Sequence, residues 1–174
     1  KKLPSFTEAA SADAVVRIYN RNDQKSSSDF SIRIWTGDYA AKENNTVLDF
    51  SELARYAGDK ASEKGINRLG VLRADVDWLG ASFMAGFNSK KGSSSGSITD
   101  YASLSHSLGY FFKNLINKVA QKQLPPGQKP FYIFQSKDGQ PRNIHIVYSG
   151  GDDLFIVGAW DDLLETAIDL RESF

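Results

Sequence analysis

The sequence contains no cysteine, a single methionine and only two histidines in its 174 residues. With no thiol there is no disulfide framework, no cysteine-ligated zinc and no cysteine nucleophile, and a cytoplasmic home is expected. Neither His106 nor His145 is followed by aspartate, and the two are isolated from one another, so neither is expected to ligate a metal. Charge of one sign is also missing. Lys plus Arg and Asp plus Glu both number 21, which removes any global pull toward nucleic acid or a membrane surface and leaves only local contacts. No apolar stretch approaches the ~18 residues of a membrane span and nothing resembles a signal peptide, so no membrane association is expected.

What is present is enough apolar material for a core, 41% hydrophobic and 12% aromatic, in a length that fits one domain with a small appendage. Ala14–Tyr19 and Phe30–Trp35 are short β-favouring runs, and Asp38–Thr46 reads as a polar loop. A helix is predicted from about Ser51 to Lys64, capped by Ser51 and stopped by Gly65. A subdomain boundary is placed there, giving a β-rich connecting segment over 1–65 and a second unit over 66–174. Leu69–Leu72 reads as a strand and Leu79–Phe87 as a helix. Asn88–Ser97 has a flexible-loop composition, in which Lys90 and Lys91 are read as solvated. Leu104, Leu108, Phe111, Phe112, Leu115, Ile116 and Val119 mark one face of a helix between Ile98 and Gln123. After a proline-rich break at Leu124–Pro130, Phe131–Gln135 is predicted as a short strand, Ile144–Gly158 as a hairpin, and Asp161–Phe174 as a helix with Asp161 and Asp162 in its first turn.

Two places carry chemistry. Tyr148-Ser149-Gly150-Gly151-Asp152-Asp153 sets a glycine turn and two carboxylates between the apolar runs Ile144–Tyr148 and Leu154–Gly158. The strand at Leu69 runs into Arg73-Ala74-Asp75-Val76-Asp77, so a second strand delivers carboxylates at its C-terminal end, where ligands gather in α/β sheets. Two strand ends loaded with acid point to a divalent-metal site. Asp77 has a competing role, because an aspartate just after a strand commonly caps the next helix. From Leu69 onward the order strand, helix, strand, strand, helix is the opening of an α+β, ferredoxin-like βαββαβ sheet, with the last strand expected beyond Phe174.

The segments LGVLRADVDWLGASF (Leu69–Phe83) and YSGGDDLFIVG (Tyr148–Gly158), in this order, resemble the Gly-Gly-Asp-Asp palm of the large subunit of type III CRISPR effector complexes, the Csm type in particular. The resemblance extends from about Trp35 to Phe174. It implies a nucleotidyl transferase that joins ATP through 3′–5′ bonds into cyclic oligoadenylate second messengers, switched on when guide RNA pairs with target RNA. By the same resemblance Asp75 and Asp152 hold two divalent cations, Mg or Mn, with the Val76 carbonyl, and Asp153 is a further ligand or tunes the site. Such pairs stand about 3.5–4 Å apart, and hard ions take oxygen ligands. Gly150 and Gly151 let a nucleotide approach the backbone, and Ser149 is a further nucleotide contact. Trp78 stands where the family more often has a small polar residue. The implied partners are ATP, the other subunits of the effector complex and, through it, guide and target RNA. The single-stranded-DNA nuclease and the four-cysteine zinc site common in that family are not expected from these residues. The alternatives are a non-catalytic palm or scaffold that packs against partner subunits, and a diguanylate cyclase-like enzyme using GTP. Against the latter, Asp153-Leu154-Phe155 lacks that family's acid-then-phenylalanine ending.

Overall fold

A computed structural model describes residues 18–22, 31–60, 62–85 and 97–174. The loop expected over Asn88–Ser97, with Lys90 and Lys91, lies almost wholly outside the described residues, as do the end of the helix expected to Phe87 and most of the run Ala14–Tyr19. The chain divides by packing into Lys1–Thr36 and Gly37–Phe174. In the first unit β1 (Ile18–Arg21) and β2 (Ser31–Ile34) pair in parallel, and the Asn22 side chain brackets Thr36, donating to its carbonyl and accepting its amide, both at 2.9 Å.

The second unit is built on a three-stranded antiparallel sheet of order β5-β7-β6, from β5 (Leu69–Asp75), β6 (Ile144–Gly150) and β7 (Asp153–Ala159). β7 lies between two strands that are parallel to each other, which is the split βαβ order of the ferredoxin-like palm. Leu72 and Ala74 on β5 pair with Ile156 and Leu154 on β7, and Ile146 pairs with Ile156 from the other side. This face meets the helices. Ile144, Ile156, Leu154 and Leu163 are buried there with Leu108, Phe111, Phe112, Ile116 and Val119, each large side chain worth ~1.5–3 kcal/mol.

The expected long helix forms as α3 (Ile98–Tyr110), a widened π-type turn over Phe111–Leu115, and α4 (Ile116–Ala120). Ser97 caps it, in a reciprocal box with Asp100. α2 covers Leu79–Ala85. The helix expected over 51–64 is shorter. α1 is Phe50–Arg55, capped by Asp49 in a box with Glu52; Gly58 at φ +79 and Glu63 at φ +55 then turn the chain, and Asp59 and Lys64 exchange backbone hydrogen bonds of 2.7 and 3.0 Å. Within the segment read as loop, Lys42–Glu43 (β3) and Thr46–Val47 (β4) make a small hairpin. Asn44 and Asn45 both have positive φ, as a type I′ turn demands.

Phe131–Gln135 is not a strand. Its amides are taken by carboxylates of α5 (Trp160–Ser173) instead: Phe131 donates to Asp169 at 2.9 Å and Ile133 to Glu165 at 2.8 Å. Asp161 and Asp162, read from sequence as first-turn acids, are buried and held by Lys137, 2.6 Å from Asp161 and 3.4 Å from Asp162. α5 thus works as an anchor post for irregular chain. Asp161 also takes the Gly58 amide, and Asp162 the Asn143 amide.

Candidate metal centre at two strand ends

The hairpin between β6 and β7 closes on Gly150 paired with Asp153, leaving Gly151 and Asp152 as a two-residue tip. Of those two, only Gly151 has positive φ, +66, the signature of a type II′ turn, in which a side chain at the first central position is disfavoured. A Cβ at Gly151 would meet nothing within 4 Å, and one at Gly150 only the Tyr148 hydroxyl at 3.9 Å. The tip is open to an approaching ligand.

On the other side of β7, Asp75 is the register partner of Asp153. Directly opposed residues of an antiparallel pair share a face, so the two carboxylates emerge side by side. The Val76 amide donates to the Asp152 carbonyl at 3.2 Å, which carries the ladder past the formal strand end and ties the tip to the chain after Asp75. Asp75 is exposed, Asp152 and Asp153 half-buried. One Asp153 oxygen, Oδ1, is shielded from water and has no hydrogen-bond partner. A shielded carboxylate oxygen without a donor is costly unless a cation completes it.

Among the described residues no group of three or more His, Cys, Asp or Glu is arranged as a metal cage. Asp75, Asp152 and Asp153 are thus not gathered into such a group. Magnesium is bound by one or two carboxylates together with water and substrate phosphates, not by an all-protein cage. Two opposed aspartates and the unsatisfied Asp153 oxygen fit such an ion.

The other expected site residues are distributed as follows. Asp77 is exposed and borders, with Asp75 and Val76, an apolar cavity of about 340 Å³ whose walls include Phe111, Phe112 and Phe174. Trp78 is 82% exposed, at φ +61, and does not line that cavity. Ser149 faces away from the open side of the sheet. The β6–β7 register slips between Ile146 and Tyr148, and this bulge at Val147 turns Ser149 toward the helices, where its hydroxyl donates to the Phe112 carbonyl. His145 is buried, with Nε2 2.7 Å from the Leu48 carbonyl. Of the residues around Ser149, Phe112 enters the sequence reading only as part of an apolar helix face, and Gly37 is not singled out. A backbone acceptor leaves no side-chain signal.

Residues 68–174 match the family model for the second palm domain of Cas10/Cmr2. The chain belongs to the Cas10/Cmr2 family. The Mycobacterium tuberculosis relative, a CRISPR system single-strand-specific deoxyribonuclease Cas10/Csm1 of subtype III-A, is 36% identical over 98% of this chain and 20% of its own length. The Streptococcus thermophilus protein of the same description is 31% identical over 96% of this chain and 19% of its own. In structure, a Csm1–Csm4 cassette in complex with one ATP superposes with a TM-score of 0.68 at 29% identity, over 91% of this chain and 21% of that one. A Csm1–Csm4 cassette with cA4 gives 0.68 at 28%, with the same coverage. The chain thus spans about a fifth of the length of the curated relatives it matches. The palm model begins near the Gly65 boundary expected from sequence, whereas the packing units meet at Thr36 and Gly37. No helix among the described residues is long and apolar enough to cross a membrane.

Proposed function

We propose that this palm is a catalytic half-site for nucleotidyl transfer, converting ATP into cyclic 3′–5′ oligoadenylates within a type III CRISPR effector complex. The observation that carries the reading is the register of Asp75 against Asp153, with the Val76 amide clamped on the Asp152 carbonyl. Support comes from solved Csm1–Csm4 cassettes that hold ATP, AMPPNP, pppApApA, cA3 and cA4.

Each coupling forms a bond from a 3′-oxygen to an α-phosphorus and breaks the bond to the β-phosphate oxygen, releasing pyrophosphate. Asp75, Asp152 and Asp153 would hold two divalent cations, with the Val76 carbonyl as a neutral ligand. Bound there, the cations would supply acidification of the 3′-hydroxyl and neutralisation of the triphosphate charge. Gly150 and Gly151 leave the backbone of the tip accessible, and the apolar cavity beside Asp75 offers an environment in which an adenine ring loses water. The protein's own contribution is to hold carboxylates in fixed opposition, so that little reorganisation is needed at the moment of reaction.

The partners on this reading are the other effector subunits, guide RNA and target RNA, with ATP as substrate. The deoxyribonuclease in the relatives' description is assigned to no residue here: neither histidine is followed by aspartate, and the His145 ring is engaged with the Leu48 carbonyl. The test is the full-length parent protein in its assembled complex, given ATP with magnesium or manganese and target RNA. Labelled cyclic oligoadenylate is the expected product. A complex that binds target RNA yet yields no oligoadenylate, or that turns over GTP to a cyclic dinucleotide, would overturn the reading.

A further inference from the structure

Two unusual backbone features meet beneath the hairpin. The helix widens over Phe111–Leu115, where the Ile116 amide reaches back five residues to the Phe111 carbonyl. Such π-turns recur at functional sites. The bulge at Val147 rotates the end of β6, so that Ser149 aims inward instead of sharing the open face with Tyr148. A one-residue slip inverts every side chain that follows it. The Ser149 hydroxyl then lands on the Phe112 carbonyl, inside the widened turn.

Gly37 closes over this contact. A Cβ added at Gly37 would stand 2.6 Å from the Ser149 Cβ, 2.8 Å from the Phe112 carbonyl oxygen and 2.9 Å from the Ser149 hydroxyl oxygen. No rotation of a flexible side chain relieves that crowding, since two of the three atoms are a Cβ and a backbone oxygen. The Gly37 backbone cannot retreat cheaply either. The Asn117 side-chain oxygen accepts the Asp38 and Tyr39 amides at 3.0 Å each. Next to them, the Ile146 amide bonds to the Tyr39 carbonyl at 2.8 Å and the Ala41 amide to the Ile144 carbonyl at 3.0 Å. Residues 37–41 are therefore fastened along the outer edge of β6, with Gly37 at the level of Ser149.

We propose that Ser149 is a positioning residue: its hydroxyl, docked on the Phe112 carbonyl under Gly37, sets the height of the Gly150–Asp153 hairpin and hence the opposition of Asp153 to Asp75. It does not touch the nucleotide. Ser149 is immediately followed by the turn, so a shift at its Cβ passes into the tip with no intervening residue to absorb it. The proposal deepens the nucleotidyl-transfer reading and rests on it for its kinetic arm.

The experiment uses the full-length protein in its assembled complex, comparing the parent with Ser149→Ala and Gly37→Ala. Amide hydrogen exchange is followed over residues 144–153 alongside ATP turnover. In Ser149→Ala the Gly150–Asp153 amides exchange faster while the Ile144–Ile146 amides keep their protection. The kcat falls about three- to tenfold, the scale of one neutral hydrogen bond, and KM for ATP stays within about twofold. Gly37→Ala, which keeps the hydroxyl and lifts it off its acceptor, reproduces both effects. A raised KM at unchanged kcat would make Ser149 a substrate contact and overturn the proposal. So would unchanged exchange at the tip, or a uniform loss of protection across β6, which would reduce Ser149 to general stability. If the parent complex makes no oligoadenylate, the nucleotidyl-transfer reading falls, and the exchange pattern still decides whether Ser149 holds the hairpin.

Discussion

Asp75 and Asp153 are direct cross-strand partners at the end of the β5–β7 ladder, and one oxygen of Asp153 is shielded from water without any donor. A sheet that opposes two like charges at its rim is arranged against its own stability, since such pairs destabilise an antiparallel ladder. Sites of this kind persist where function requires them.

Asp75→Asn is accordingly expected to stabilise the metal-free protein while removing turnover. Relief of the repulsion is worth ~0.2–1 kcal/mol, a rise in Tm of about 0.5–4 °C at this chain length. Adding manganese with ATP should raise the Tm of the parent and leave the Asn variant unmoved. Thermal unfolding with and without metal measures both halves. A variant that melts lower than the parent and keeps full oligoadenylate synthesis would move Asp75 to a structural role.

The double variant Asp152→Ala with Asp153→Ala tests the hairpin from its own side. Asp152 sits at the tip and Asp153 is half-buried, so neither replacement leaves a core cavity. The Val76 bond to residue 152 survives because it uses the backbone carbonyl. Synthesis of oligoadenylate should disappear with the far-ultraviolet circular dichroism and the unfolding midpoint little changed. Full synthesis by the double variant would exclude a metal role for both residues.

The strand and helix order of the palm, and the two acid-bearing strand ends, were legible in the sequence because each is a local signal. Apolar runs of one period flank a glycine turn, and acids follow an apolar strand. The direct opposition of Asp75 to Asp153 was not legible, since it depends on the register between strands far apart in sequence. The inward aim of Ser149 was not legible for a sharper reason. Strict alternation from Ile144 and Ile146 puts Tyr148 inward and Ser149 outward, and only the bulge at Val147 reverses them. Phe131–Gln135 has a strand's composition, but its amides found the carboxylates of α5 before any neighbouring strand. The helix from Ser51 ended early because Gly58 is required to place its amide on Asp161.

Arg142 offers a test of the buried charge network that fixes this irregular chain. It is fully buried, bonds the Val119 carbonyl at 2.5 Å and pairs with Asp169, with Glu165 3.9 Å away. Arg142→Met removes the cation and leaves those carboxylates buried with less compensation. The expected loss is about 3–5 kcal/mol, read as a shift of the urea midpoint. Adding Asp169→Leu should recover part of it, because an apolar pair tolerates burial better than a lone charge. A single variant as stable as the parent would show that the guanidinium contributes nothing net.

The last prediction concerns pH. Loss of hydration raises the Glu165 carboxyl above the ordinary glutamate range, with the Ile133 amide working against the rise. The same cause lowers the Lys122 ammonium, opposed by the attraction of Glu165. The two groups lie 3.8 Å apart, yet both move toward their neutral forms, so desolvation outweighs their attraction. The folded protein holds the Glu165 proton more tightly than the unfolded chain does. Its contribution therefore favours folding below the ordinary glutamate range and is lost as pH rises through the elevated pKa. Lys122 has a depressed pKa, so its burden is present at low pH and lifts as pH climbs toward the ordinary lysine value. Over the window that opens at about pH 4.5, the ordinary glutamate value, Glu165 loses this contribution as pH rises. Subtracting the Tm of Glu165→Gln from that of the parent at each pH should give a difference that declines with rising pH. A difference that grows over that window would mean that the carboxylate is stabilised by Lys122 and Arg142 beyond its cost of burial.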